Sequence, residues 1–427
     1  MSERARPPRP ERRGRARGIR GRTALLAFLA VVGPGLISAA ADNDAQGITT
    51  YTLVGAHFGY ELLWVTLIGG AALLVTQEAG ARVGIVTGKG LSALVRERFG
   101  VRLATMAMVL LLVANLGTTS AEFAGIAAAS GIFGVSRFVA VPVGAAVVML
   151  LILRGSYKRI ERVFIVMSLL LLSYVVSGIL AQPDWSAAIH GLLVPTIQFN
   201  GSFLLAAVAT IGTTVTPWGQ FFIQAYVVDK ALAPEDLNYE RADVGVGTLA
   251  TVTVLFFIVV AAAATLHETG GRINDAADAA KALEPLAGRF AAGLFALGLL
   301  NASLLAAGVL PLATSYAVCE AFGFELGLDN AIRDAPVFYG IFIGAIVIGA
   351  GVVLLPGISL VPILFVSAAV NGVLLAPILI FLLVLANDRE LMGDRRNGRV
   401  ANVFTGATVV LLIGLTLVLF AAGLSRT

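Results

Sequence analysis

Charge is scarce in this chain: Asp, Glu, Lys and Arg make up 13% of its 427 residues, against about 25% in an ordinary soluble domain. The apolar residues reach 58%, so a water-facing exterior cannot be assembled from what remains, whereas a lipid-facing one can. Cysteine is nearly absent. The single Cys319 excludes an intramolecular disulfide and a thiolate metal cluster. Histidine is almost as rare. His57, His190 and His267 sit outside or at the edges of apolar runs, which argues against a histidine-rich metal site or catalytic centre within the bilayer. No nucleophile, base and metal set is present, so no enzyme is expected. No filter-like string stands out either, which disfavours a channel. The formal charge of +4 does not indicate nucleic-acid binding, because the basic residues gather at the N-terminal end and in short loops.

Long apolar runs dominate what is there. About eleven of them are long enough to cross a bilayer. They cover residues 24–56, 61–83, 103–130, 136–153, 160–181, 199–228, 243–266, 288–317, 335–355, 359–386 and 402–424. Residues 1–22 carry nine arginines among Gly and Pro and read as a disordered basic tail. With the N-terminus inside, 25 of the 30 basic residues fall on the inner side, an asymmetry that predicts a cytoplasmic N-terminus and an odd number of spans. The expected location is the plasma (inner) membrane, multi-pass.

Two runs cannot be continuous helices. The first carries Asp42, Asn43, Asp44, Gln46 and Gly47 at its middle. A carboxylate at that depth costs a few kcal/mol, roughly, unless it meets protein, water or a cation. Asp and Asn also compete with the helix for its own backbone. A break over residues 41–47 would aim freed carbonyls and the Asp44 carboxylate at one point. The sixth run carries Thr213, Thr214, Thr216, Pro217 and Gly219, and Pro217 removes a helical hydrogen bond. Unwound backbone in a membrane survives only against protein or a cavity. Breaks at matching places in two halves point to an inverted-repeat carrier with a mid-membrane site. Residues 23–181 and 199–386 form the two repeats of a transport domain, 23–386. Residues 387–427 add an inner loop and one further helix.

Five strings carry a resemblance: GPGLISAAADNDAQGI (33–48), QEAGARVGIVTGKGLSALVRERFG (77–100), SAEFAGIAAASGIFG (120–134), ATIGTTVTPWGQFF (209–222) and ANDRELMG (386–393). Together they resemble the Nramp family of divalent metal transporters over most of the chain. The resemblance implies an all-α integral membrane protein of LeuT-type fold, with 5+5 inverted repeats plus one helix. It also implies a metal ion held between the broken first and sixth helices, as transported substrate rather than cofactor.

The family's metal-binding Asp falls on Asp44. Its string Asp-Pro-Gly-Asn reads Asp44-Ala45-Gln46-Gly47 here, and its Met-Pro-His reads Thr216-Pro217-Trp218. The expected ligand set is therefore Asp44, Ala41, Gly47, Thr213 and Thr216. Asp42, Gln46, Thr119, Glu122, Trp218, Gln220 and Asn371 are expected to line the cavity or stand behind it. Loss of the soft thioether removes a preference for softer metals. An oxygen-only site with room for retained water suits Mg²⁺, and the pattern is similar to the Nramp-related magnesium transporter branch. The expected substrates are Mg²⁺ and Mn²⁺. Thr119 and Trp218 stand where proton-coupled relatives carry an acid and a histidine, so weak or absent proton coupling is expected. A proton-coupled Mn²⁺/Fe²⁺ carrier and a LeuT-type carrier of an organic solute are the alternatives. A buried Asp44 would repel the carboxylate of an amino-acid substrate. The expected partners are the metal ion and the lipid bilayer, with the protein as a monomer.

Gln220 and Gln224 are expected to line the outer path, Asn371 to bond between helices, and Glu78 to form an ion pair near the inner end of the second span.

Overall fold

The computed structural model describes residues 34–154, 166, 173–267, 291–328, 330–357 and 359–424. All regular structure among them is helical. The basic tail, the 158–162 run and residues 24–33 of the first predicted span lie outside the described residues.

Among the described residues, nine helices are long and apolar enough to cross a membrane. Each overlaps a predicted span; the largest shift is at Pro234–His267, which starts nine residues before the expected 243. The other two predicted spans are accounted for differently. The first is divided into α1 (Pro34–Ala41) and α2 (Ala45–Phe58), neither long enough alone. The fifth lies largely outside the described residues, which retain α7 (Ser173–Leu180).

The remaining membrane helices follow in chain order. They are α3 (Leu63–Thr87), α5 (Val101–Ile132), α6 (Arg137–Arg154), α9 (Gly201–Thr214), α10 (Pro217–Asp229), α11 (Leu237–Ala262), α12 (Ala291–Phe322), α13 (Pro336–Leu354), α14 (Leu360–Asn387) and α16 (Arg399–Leu424). Short connecting helices are α4 (Leu91–Phe99), α8 (Trp185–Leu193) and α15 (Arg389–Met392). Helix α16 buries little of itself: Val400, Val403, Val410 and Leu417 are all at least 64% exposed. An apolar face of that extent needs lipid against it.

The two broken helices occupy the centre. Helix α2 is buried along most of its length, and so is α10. Close backbone approach holds this centre together. A Cβ on Gly212 of α9 would lie 2.2 Å from the Gly372 nitrogen and 2.5 Å from the Ala368 carbonyl of α14. Only two residues without a β-carbon let these helices touch main chain to main chain.

The loops segregate by charge. At one end Arg82, only 3% exposed, pairs with Glu78 at 3.0 Å, and Glu78 also takes Arg241 at 2.8 Å. Arg82 further donates to the Arg395 carbonyl and to Asn397 Oδ1. Arg98 bonds Asp388 at 2.6 Å and Glu390 at 2.7 Å. Asn387 and Asn402 exchange hydrogen bonds of 2.7 and 2.8 Å, tying the end of α14 to the start of α16. At the other end, Gln198 donates to Glu61 at 2.6 Å and the Trp64 indole to the Thr196 carbonyl at 3.1 Å. Segments assigned to the same side from charge alone therefore meet in space. The ion pair expected for Glu78 is present.

Candidate functional site

The first break is three residues long, Asp42 to Asp44, narrower than the seven-residue stretch expected. It is narrow because Asp44 restarts the helix at once. In extended conformation it caps α2, its Oδ1 accepting the Gly47 N–H at 2.6 Å. Glu122 of α5 accepts the Ala45 N–H at 3.1 Å. Two acids thus satisfy the first turn of α2, where the helix dipole favours negative charge.

The second break, at Val215 and Thr216, has the same logic. Thr216 caps α10 by accepting the Gly219 N–H at 3.2 Å, and Pro217 occupies the first helical position. Because Pro217 has no N–H, the Thr213 carbonyl gets no i+4 partner from it.

One hydrogen bond joins the breaks. The Thr216 hydroxyl donates to Asp42 Oδ1 at 2.7 Å. Gln77 of α3 donates to Asp42 Oδ2 at 3.3 Å and to the Ser38 hydroxyl at 3.1 Å. Beside this bridge, oxygens converge on Gly47. The position a Cβ would take there lies 2.9 Å from the Asp42 carbonyl oxygen, 3.2 Å from Thr213 Oγ1 and 3.3 Å from Asp44 Oδ1. Gly47 contributes space to this cradle; its N–H belongs to Asp44.

Several polar atoms here are buried with no amide or hydroxyl donor or acceptor to meet them: Asp44 Oδ2, Glu122 Oε1 and Thr213 Oγ1; both amide atoms of Gln220, in the first turn of α10, are likewise buried without a partner. The Asp44 and Glu122 carboxyls are themselves close neighbours.

The structure brings Asp42, Asp44, Gly47, Thr213, Thr216 and Glu122 together, and Ala41 ends α1 beside them, fully buried. Asn371 makes the expected interhelical bonds, donating to Thr118 Oγ1 at 3.1 Å and to Gln46 Oε1 at 3.4 Å. Trp218 is buried and packs on Phe222.

The Thr119 methyl lies 2.8 Å from where a Gly349 Cβ would be, so that methyl packs against α13, while its hydroxyl is buried with no partner. One residue sits elsewhere than expected. Gln224 donates to the Lys89 carbonyl at 3.0 Å, which puts it at the basic end and not on an outer path. Sequence reading missed Gln77. A lone carboxamide amid an apolar span was the available signal, overshadowed by Glu78 beside it. It also missed the Tyr51–Thr214 pair at 3.0 Å. Thr214 gives its own proton to the Thr210 carbonyl, so the Tyr51 phenol is the donor. Among the described residues no three or more His, Cys, Asp or Glu side chains are grouped so that they could hold a metal ion between them; the converging atoms are of mixed origin.

A helical membrane bundle with two helices broken at one buried polar centre is the architecture of a secondary transporter. The family model for natural resistance-associated macrophage protein-like (Nramp) chains matches residues 35–422, and the chain belongs to the Nramp family, whose members are transporters and not enzymes. A divalent metal cation transporter, MntH, of Aeromonas hydrophila is 30% identical over 404 residues, spanning 92% of this chain and 96% of that one. MntH of Klebsiella pneumoniae strain 342 is 28% identical over 396 residues, spanning 90% and 92%. Among solved structures, the manganese transporter of Eremococcus coleocola bound to an aromatic bis-isothiourea compound superposes with a TM-score of 0.75 at 21% identity, covering 93% of this chain and 87% of that one. Mhp1, a nucleobase-cation-symport-1 family transporter, superposes at 0.59 with 14% identity, covering 92% and 91%. The all-α, LeuT-type fold is thereby shared with both.

Proposed function

We propose that this chain carries hard divalent cations, Mg²⁺ and Mn²⁺, across the membrane by alternating access. The observation that carries the reading is the convergence of the Asp44 carboxylate, the Asp42 carbonyl and the Thr213 hydroxyl around Gly47. Asp44 supplies charge, Thr213 and the carbonyls freed at Ala41 and Asp42 supply neutral oxygens, and Gly47 leaves space for retained water. Thr216 acts through Asp42. No thioether or imidazole enters the set, so the donors are hard, which suits an ion that keeps part of its hydration. Named relatives that are divalent metal cation and manganese transporters support the substrate class. Residues 23–386 form the transport domain, with repeats at about 23–181 and 199–386. The end carrying Arg82, Lys89, Arg98 and Arg395 faces the cytoplasm of a plasma-membrane monomer, and an inside-negative potential draws cations inward.

Uptake of Mn²⁺ into proteoliposomes tests the substrate. Mg²⁺ in large excess is expected to compete; uptake indifferent to it refutes the magnesium reading.

Proton coupling is weak or absent in this reading, because Thr119 and Trp218 stand where proton-coupled relatives carry titratable side chains. A pH-sensitive dye inside the liposomes is expected to register no metal-driven acidification. A clear acid signal favours the second reading, a proton-coupled Mn²⁺/Fe²⁺ carrier, for which the neighbouring Glu122 and Asp44 carboxyls are the specific support.

A further inference from the structure

Asp42 is an aspartate two residues from the proposed ligand Asp44, fully buried like it, yet the two carboxylates are used differently. Asp44 Oδ2 is met by no amide or hydroxyl donor, only by the neighbouring Glu122 carboxyl. Both Asp42 oxygens are taken, Oδ1 by the Thr216 hydroxyl at 2.7 Å and Oδ2 by the Gln77 carboxamide at 3.3 Å. What Asp42 turns toward Gly47 is its main-chain carbonyl oxygen.

We infer that Asp42 is a positioning residue: its side chain, clamped between Thr216 and Gln77, fixes the direction of its own peptide carbonyl toward the cation and fastens the two helix breaks to each other. The inference rests on the reading of Asp44 as part of a cation site. The physical reason is local. Asp42 lies in the break and its carbonyl accepts no backbone N–H, whereas the Asp44 carbonyl already takes the Ile48 N–H at 2.9 Å, so the Asp42 carbonyl points where its side-chain anchors direct it. Thr216 belongs to the other break, 174 residues away in sequence. Movement of either helix end therefore reorients an oxygen of the cradle. A misplacement of about 1 Å at a working site costs on the order of a hundredfold, so the clamp bears on affinity without its carboxylate touching the ion. Gln77 adds a third element, α3, and its second donation to Ser38 ties the last turn of α1 into the same clamp.

The test is Mn²⁺ transport kinetics in proteoliposomes, with Mn²⁺ binding to the purified protein measured by calorimetry. Thr216→Val removes the donor and keeps the shape. It is expected to raise KM at least about tenfold, the worth of one hydrogen bond to a charged group, with Vmax within a few-fold of the wild type. Thr216→Ser restores the hydroxyl and is expected to recover most of that affinity. Asp42→Asn still offers an oxygen to Thr216, and is expected to weaken binding far less than Asp44→Asn does. Asp42→Ala combined with Thr216→Val is expected to be no worse than the more severe single variant, because both break one clamp.

Asp42→Asn as damaging as Asp44→Asn would overturn the inference, since charge at position 42 would then be binding the ion. Multiplying effects of Asp42→Ala and Thr216→Val would overturn it as well, as would a wild-type KM in Thr216→Val. Thermal unfolding without metal identifies any variant that fails to fold; should Asp42→Ala fail, the Asp42→Asn and Thr216 variants decide. Intact Mn²⁺ binding in Asp44→Asn is a separate result that removes the site reading itself.

Discussion

Mn²⁺ uptake by an Asp44→Asn variant is expected to fall by about a hundredfold or more while the protein remains folded. The substitution is chosen because asparagine caps a helix about as well as aspartate. Its side-chain oxygen can still accept the Gly47 N–H that Asp44 Oδ1 accepts at 2.6 Å, so α2 starts where it did. What disappears is the negative charge. In a fully buried cradle whose other oxygens are neutral, removing one member of a charge pair costs roughly 3–5 kcal/mol, and 1.4 kcal/mol is about tenfold in affinity. Initial uptake rates at low Mn²⁺, read beside the thermal unfolding of the same preparation, separate the two effects. Uptake within about threefold of wild type, with folding intact, would place the cation elsewhere.

The largest effect on stability is expected from Gly212→Ala. The added methyl would meet the Gly372 nitrogen at 2.2 Å and the Ala368 carbonyl at 2.5 Å. Both obstacles are main chain, so no rotamer change relieves them. Helices α9 and α14 must separate, and the seam is tight from both sides: a Cβ on Gly372 would lie 2.5 Å from the Val208 carbonyl. Overpacking of this kind costs about 1–3 kcal/mol, sometimes more. The expected result is a thermal midpoint in detergent lower by several degrees, with less folded protein recovered. Gly117→Ala in α5 is the control, since a Cβ there meets nothing within 4 Å. Alanine also outranks glycine in helix propensity by about 1 kcal/mol, so this variant is expected to match the wild type or exceed it. Equal midpoints for the two variants would show that the α9–α14 seam yields more easily than its backbone contacts imply.

Where the chain crosses the bilayer, and where it fails to stay helical, was readable because those properties are local. Length and apolarity define a span, and Pro217 or the Asp42–Asp44 cluster stops a helix whatever surrounds it. Asn371 and Glu78 were readable for a related reason: a polar group in an apolar run must find a partner. The identity of the partner was a different matter. Asp42 finds Thr216 across 174 positions and Glu122 finds the Ala45 amide across 77. No pattern within a single helix specifies either pairing. Thr119 illustrates the same limit. It lies three residues before Glu122 on α5, yet its methyl packs on Gly349 of α13 while Glu122 turns to α2. Gln224 was assigned the wrong end because the choice depends on which neighbour α10 meets, and that neighbour is the loop at Lys89.

The final helix has a bearing on how the protein can be handled. Its outer face is greasy and its packing is slight, which makes it look dispensable. Yet its first turns hold Asn402, which closes a two-way amide handshake with Asn387 and also receives Asn397. Asn397 in turn engages the buried guanidinium of Arg82. Cutting the chain before residue 399 would remove Asn402 and leave Asn397, the companion of that guanidinium, held only through its own backbone bond to Ala386, whereas a tag appended after the last turn touches none of it.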